Sequence, residues 1–70
     1  MEKRFYYARS FIYGWCVYDR RTHTPAYEAC AEYLPKIFTD GGIMVVDPTN
    51  LTEAKAMLLC HKLNRREEDQ

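Results

Sequence analysis

Three cysteines and two histidines are the residues of this chain best suited to hold a metal or attack a substrate. Their spacing suits neither task. Cys16, His23, Cys30, Cys60 and His61 include no C-x-x-C and no H-x-x-x-H pair, the closely spaced ligands that one turn can present to zinc. Cys60 and His61 are adjacent, so on a helix they project about 100° apart. Cys16 and Cys30 lie among apolar residues with no nearby base to lower a thiol pKa. Cys60 falls on the apolar arc of a predicted helix, and all three read as small packed hydrophobes. Glu28 and Glu32 are spaced to share a helix face but read as solvent-facing. Asp40-Gly41-Gly42 precedes a β-branched run, whereas a phosphate cradle opens a helix. The expectation is therefore no catalytic residues, no metal and no cofactor.

The elements that would have to position any site follow from pattern. Phe5-Tyr6-Tyr7-Ala8-Arg9 is rich in aromatic strand formers, and Trp15-Cys16-Val17-Tyr18 follows closely enough to pair with it as a hairpin over residues 4–18. If the second strand starts at Phe11, alternation puts Phe11, Tyr13, Trp15 and Val17 on the core face and Ile12, Cys16 and Tyr18 on the other. Gly14 inside this run suggests a bulge or the close approach of another backbone. Residues 26–34 fit two templates. A helix capped by Thr24 with Pro25 at its first position is one. An irregular extended segment with alternating tyrosines is the other, and it is slightly favoured.

Residues 36–46 read as a second hairpin, because Asp40-Gly41-Gly42 supplies the positive φ of a tight turn and Ile43-Met44-Val45-Val46 resembles a buried strand. Residues 51–66 are the firmest helix. Asn50 with Glu53 forms a capping box, Thr52 is an alternative cap, and Thr52, Ala56, Leu59, Cys60 and Leu63 share one arc. Residues 67–70 read as a frayed acidic tail. The predicted class is α+β: a small antiparallel sheet of three to four strands packed by one C-terminal amphipathic helix, in a single domain spanning 1–70.

Composition then narrows the function. The chain is 47% hydrophobic with ten aromatic residues, more than one small core hides easily, so some should lie at an interface. Net charge is zero, which disfavours a phosphate-backbone partner. The charge is uneven: residues 1–21 carry +3 and residues 22–70 carry −3. Aromatic residues and arginine are enriched at interface hot spots, and small sheets expose edges that another chain can extend. The reading is a protein-binding module able to self-associate, with Tyr6, Tyr18, Arg20 and Arg21 as the contact surface and Tyr33 as an outlier. The alternative is a single-stranded nucleic-acid binder that stacks bases on the same tyrosines. An odd cysteine count, no signal peptide and no apolar run of membrane-spanning length lead us to expect a cytoplasmic protein with reduced thiols.

Tyr13-Gly14-Trp15-Cys16-Val17-Tyr18-Asp19-Arg20, a Thr/Pro turn, and a helix opening Leu51-Thr52-Glu53-Ala54 and closing Lys62-Leu63-Asn64 give the chain a layout. That layout resembles small phage and mobile-element accessory proteins, which pair a hairpin or small sheet with a closing helix. The resemblance implies an inhibitor that binds and blocks a host protein, such as a component of a CRISPR defence complex. It carries no catalytic residues with it. The neutral charge argues for surface complementarity in place of DNA mimicry.

Overall fold

The computed structural model describes residues 2–11, 14–34, 36–45 and 47–69, with strands 36–39 and 43–45 described by their backbone. Strands β1 (Phe5–Arg9) and β2 (Trp15–Asp19) pair antiparallel. The short β3 (Thr24–Pro25) adds to the far side of β2, giving the sheet order β1-β2-β3. Helix α1 (Tyr27–Ala31) follows, and β4 (Lys36–Thr39) and β5 (Gly42–Val45) then form a separate two-stranded sheet. Helix α2 (Glu53–Glu68) closes the molecule against β1 and β2. This is the expected α+β class, with the second hairpin standing as its own two-stranded sheet.

The core lies between the inner sheet face and the two helices. Register places Phe5, Tyr7 and Arg9 opposite Asp19, Val17 and Trp15, so these residues share the inner face. Phe5 and Val17 are buried there with Cys30 and Leu34, Leu51, and Ala56, Leu59, Cys60 and Leu63 of α2. The predicted arc of α2 is thus the buried arc, except that Thr52 is exposed and serves as the N-cap, its hydroxyl accepting from the Lys55 N–H at 3.2 Å. Cap formation holds Thr52 outside the helix, so it cannot face the core.

Other expectations change. Phe11 is 89% exposed, not a core residue. The β1–β2 ladder ends at Arg9 and Trp15, and the Ser10 N–H bonds the Gly14 carbonyl at 2.7 Å, so Phe11 belongs to the connection. Ile12 and Tyr13 lie outside the described residues, as do the side chains of Ile43, Met44 and Val45 and the whole of Val46. Cys16, assigned to the outer face, is nonetheless buried at 1% exposure. Residues 27–31 are helical, contrary to the slight preference for an extended segment. The helical turn directs Cys30 inward to full burial while Glu28 and Glu32, which strand alternation would place on the same face as Cys30, stay exposed. Thr24 does not cap this helix. Thr24 and Pro25 are spent as β3, and Ala26 stands at the N-cap with no side-chain bond.

Gly14 admits another backbone, as its place in the run suggested. A Cβ there would stand 2.6 Å from the Asn50 Cα. This close approach lets Leu51 bridge to Trp15, with backbone bonds of 2.8 and 3.0 Å. In the second hairpin the positive φ falls on Gly42, at 119°. Before α2, the Asp47 carboxylate accepts from the Thr49 N–H and hydroxyl at 2.9 and 2.7 Å, which holds its pKa below the usual carboxylate range.

Candidate functional site

The outer sheet face carries the predicted surface. Tyr6 and Tyr18 are directly opposed in register. Their rings stack with centroids 5.5 Å apart and planes 18° apart. Offset stacking of this kind is worth about 0.5–1.5 kcal/mol beyond area burial. Both tyrosines are half-buried. Partial burial also pushes the Tyr18 phenol pKa up, chiefly by desolvation, and keeps the phenol a neutral donor.

Arg20 extends this pair. Its guanidinium sits 4.7 Å from the Tyr6 ring centroid. It is fixed there from several sides. Its backbone N–H bonds the Arg4 carbonyl at 2.7 Å, its Nε donates to the Lys3 carbonyl at 2.9 Å, and its Nη1 pairs with Glu2 at 3.5 Å. A guanidinium so constrained loses less side-chain entropy when a partner binds. Beside it, a shallow depression of about 340 Å³ opens between Tyr6, Tyr7, Arg20, His61 and Asn64.

Arg21 and Tyr33 do not join this cluster. Arg21 turns to Glu67 at 3.3 Å. Tyr33 lies beyond α1, where Lys62 approaches its ring at 5.9 Å. The structure therefore brings together Tyr6, Tyr18 and Arg20 and leaves the other two elsewhere.

The charge map also resolves into contacts within the chain. Arg4 pairs with both Asp19 and Glu67 at 3.0 Å, and Lys3 pairs with Glu68 at 2.7 Å. Residues 67 and 68 are thus helical and tied to the N-terminal strand, not a frayed tail. The hydrogen bonds from Arg4 hold the Asp19 carboxyl below its ordinary range. A wider depression of about 390 Å³ along Asp19, Pro25, Tyr27 and Glu28 has the Arg4–Asp19 pair in its wall. Among the described basic residues of 1–21, Arg9 alone has no carboxylate partner.

The thiols are buried. Desolvation pushes both Cys16 and Cys30 up to about 11, and raises Cys60 as well. At neutral pH they are thiols, not thiolates. Among the described residues no group of His, Cys, Asp or Glu is placed to hold a metal ion. No helix is long and apolar enough to cross a membrane among those residues.

One structural residue escaped the sequence reading. Asn64 is buried on α2, and its side-chain amide grips Phe5 at both backbone groups. Oδ1 accepts from the Phe5 N–H at 2.9 Å, and Nδ2 donates to the Phe5 carbonyl at 3.0 Å. The Cys60 thiol donates to the same carbonyl at 3.4 Å. A polar residue four positions after Cys60, at the margin of the apolar arc, was the available signal.

Compared with known proteins, the chain matches no family model, no curated protein and no solved structure.

Proposed function

We propose that this chain is a protein-binding module without catalytic activity, and that its contact surface centres on Tyr6, Tyr18 and Arg20. The observation that carries the reading is the stacked tyrosine pair on the outer sheet face with an immobilised guanidinium over it. Two rings and an arginine in fixed geometry supply the residue types that dominate interface energetics. Phosphate recognition is the weaker fit, because the cations beside the tyrosines are already engaged by Glu2, Asp19 and Glu67. The layout adds the finer proposal that the partner is a host protein blocked by a phage-type inhibitor.

The test is a pull-down from bacterial lysate with the tagged full chain, its Tyr6→Ala/Tyr18→Ala variant and its Arg20→Glu variant. A specific protein should be retained by the wild type and lost from both variants, whose circular dichroism stays native. Recovery of nucleic acid with no specific protein overturns the reading. Retention of the same protein by both variants overturns the placement of the surface.

A further inference from the structure

The two long edges of the sheet are treated very differently. In an antiparallel ladder, alternate residues of a strand direct both backbone groups to one neighbour and the rest direct theirs to the other side. Bonds from Arg20 N–H to Arg4 carbonyl and from Ser10 N–H to Gly14 carbonyl bracket the β1–β2 ladder. Tyr6 and Ala8 therefore bond to β2, while Phe5, Tyr7 and Arg9 direct their groups outward. On the far side of β2, the equivalent groups are used: Trp15 exchanges bonds with Leu51, the Val17 carbonyl accepts from Ala26, and Asp19 pairs with Thr24. On β1 the outward groups are used at Phe5, by Asn64 and Cys60. None of the described residues bonds those of Tyr7 and Arg9.

Helix α2 explains the difference. It follows Leu51 at the far edge of β2 and reaches the free edge of β1 at Asn64. It thus crosses the sheet diagonally and overhangs the β1 edge at Phe5, leaving the edge at Tyr7 and Arg9 open.

We propose that two copies of this chain pair through this open edge, β1 against β1 in antiparallel register centred on Ala8. Self-complementarity selects that occupant and that register. A register centred on Tyr7 would need the Phe5 groups that Asn64 holds. One centred on Arg9 sets two arginines directly opposite each other, with like charges facing. Centring on Ala8 uses the open window and nothing else. Tyr7 of each copy exchanges both backbone bonds with Arg9 of the second copy, and the unpaired Arg9 cation lies across from a tyrosine. Ala8 then faces Ala8 of the second copy as a non-hydrogen-bonded pair, where Cα atoms approach to about 4.5 Å and small side chains fit best. The two sheets become one, with both Tyr6–Tyr18 pairs on the same face and both α2 helices on the other. The pairing rests on the edge and not on the proposed contact surface, and each is tested by separate variants.

The test is a register-specific cross-link. The native cysteines are buried, so a new surface cysteine reports its own neighbour. In the full-length chain, Ala8→Cys should oxidise to a covalent dimer, since the expected Cα separation falls within the roughly 4.4–6.8 Å that a disulfide spans. Tyr18→Cys, one strand in from the edge, should stay uncross-linked. Sedimentation equilibrium should return twice the chain mass for wild type. Arg9→Pro removes an outward N–H without touching the β1–β2 ladder and should return the single-chain mass with unchanged helix signal. A wild type that is monomeric at several hundred micromolar overturns the proposal. So does a dimer that Ala8→Cys fails to trap, whatever Arg9→Pro does to the fold.

Discussion

Replacing Asn64 with leucine removes a side chain that acts as a short strand, closing the β1 edge at Phe5 by two amide bonds. A typical net hydrogen bond contributes about 0.5–1.5 kcal/mol, and a buried backbone group left without a partner costs about 1–3 kcal/mol. Leucine forfeits both bonds, although the Cys60 thiol still reaches the Phe5 carbonyl. The expected loss is about 2–4 kcal/mol, most of the ~3–5 kcal/mol that one core of this size supplies. The assay is urea unfolding followed by Trp15 fluorescence and far-ultraviolet circular dichroism, at one fixed protein concentration because self-association would add stability by mass action. With a slope near ~1 kcal/mol per molar urea, the midpoint should fall by about 2–4 M or the variant should be unfolded outright.

Asn64→Asp sharpens the argument. It keeps the acceptor for the Phe5 N–H but aims a carboxylate at the Phe5 carbonyl. Its folded pKa should rise above the unfolded value, so this variant gains stability as pH falls through the folded pKa, when the protonated carboxyl can donate. A leucine variant within about 0.5 kcal/mol of wild type, which is the range of an ordinary surface substitution, would refute the reasoning.

The wild type should show the opposite pH dependence. The Asp19 carboxyl is held down by Arg4, so the stability it contributes is present above the unfolded value near ~3.9 and is lost as pH falls through the folded pKa. Thermal melts between pH 2 and 7 should show this loss, and Asp19→Asn should flatten it; an unchanged acid limb in that variant would remove Asp19 from the account. Gly14→Ala should cost about 1–3 kcal/mol by overpacking, because its Cβ meets the Asn50 backbone; an unchanged thermal midpoint counts against the close approach. Cys16 and Cys30 should resist a thiol-specific disulfide reagent at pH 8 in the native state and react together once urea unfolds the chain. Immediate labelling of either in native buffer would contradict their burial.

Legibility in the sequence followed the range of the forces involved. Helix α2 was readable because its apolar arc repeats within the element and its cap sits next to it; the cap proved to be Thr52 and not Asn50. The turn at Asp40-Gly41-Gly42 was readable because positive φ is a property of the residue itself. Tyr6, Tyr18 and Arg20 were readable as a cluster because a short hairpin fixes its own register. Arg21 was not separable from that cluster, since its partner Glu67 lies 46 positions away in the chain, whereas Tyr33 already stood apart as an outlier.

The sequence by itself determined the α+β class, the buried arc of α2 and the glycine turn of the second hairpin. Each depends on periodicity or on neighbours a few residues apart. Only the tertiary structure decided that residues 27–31 are helical, that Phe11 stands outside the core, and that Glu67 and Glu68 tie α2 to the first strand. It alone decided that Asn64 seals the β1 edge at Phe5 and leaves it open at Tyr7 and Arg9. These outcomes depend on where a helix lies across a sheet, and contacts between opposite ends of the chain set that position.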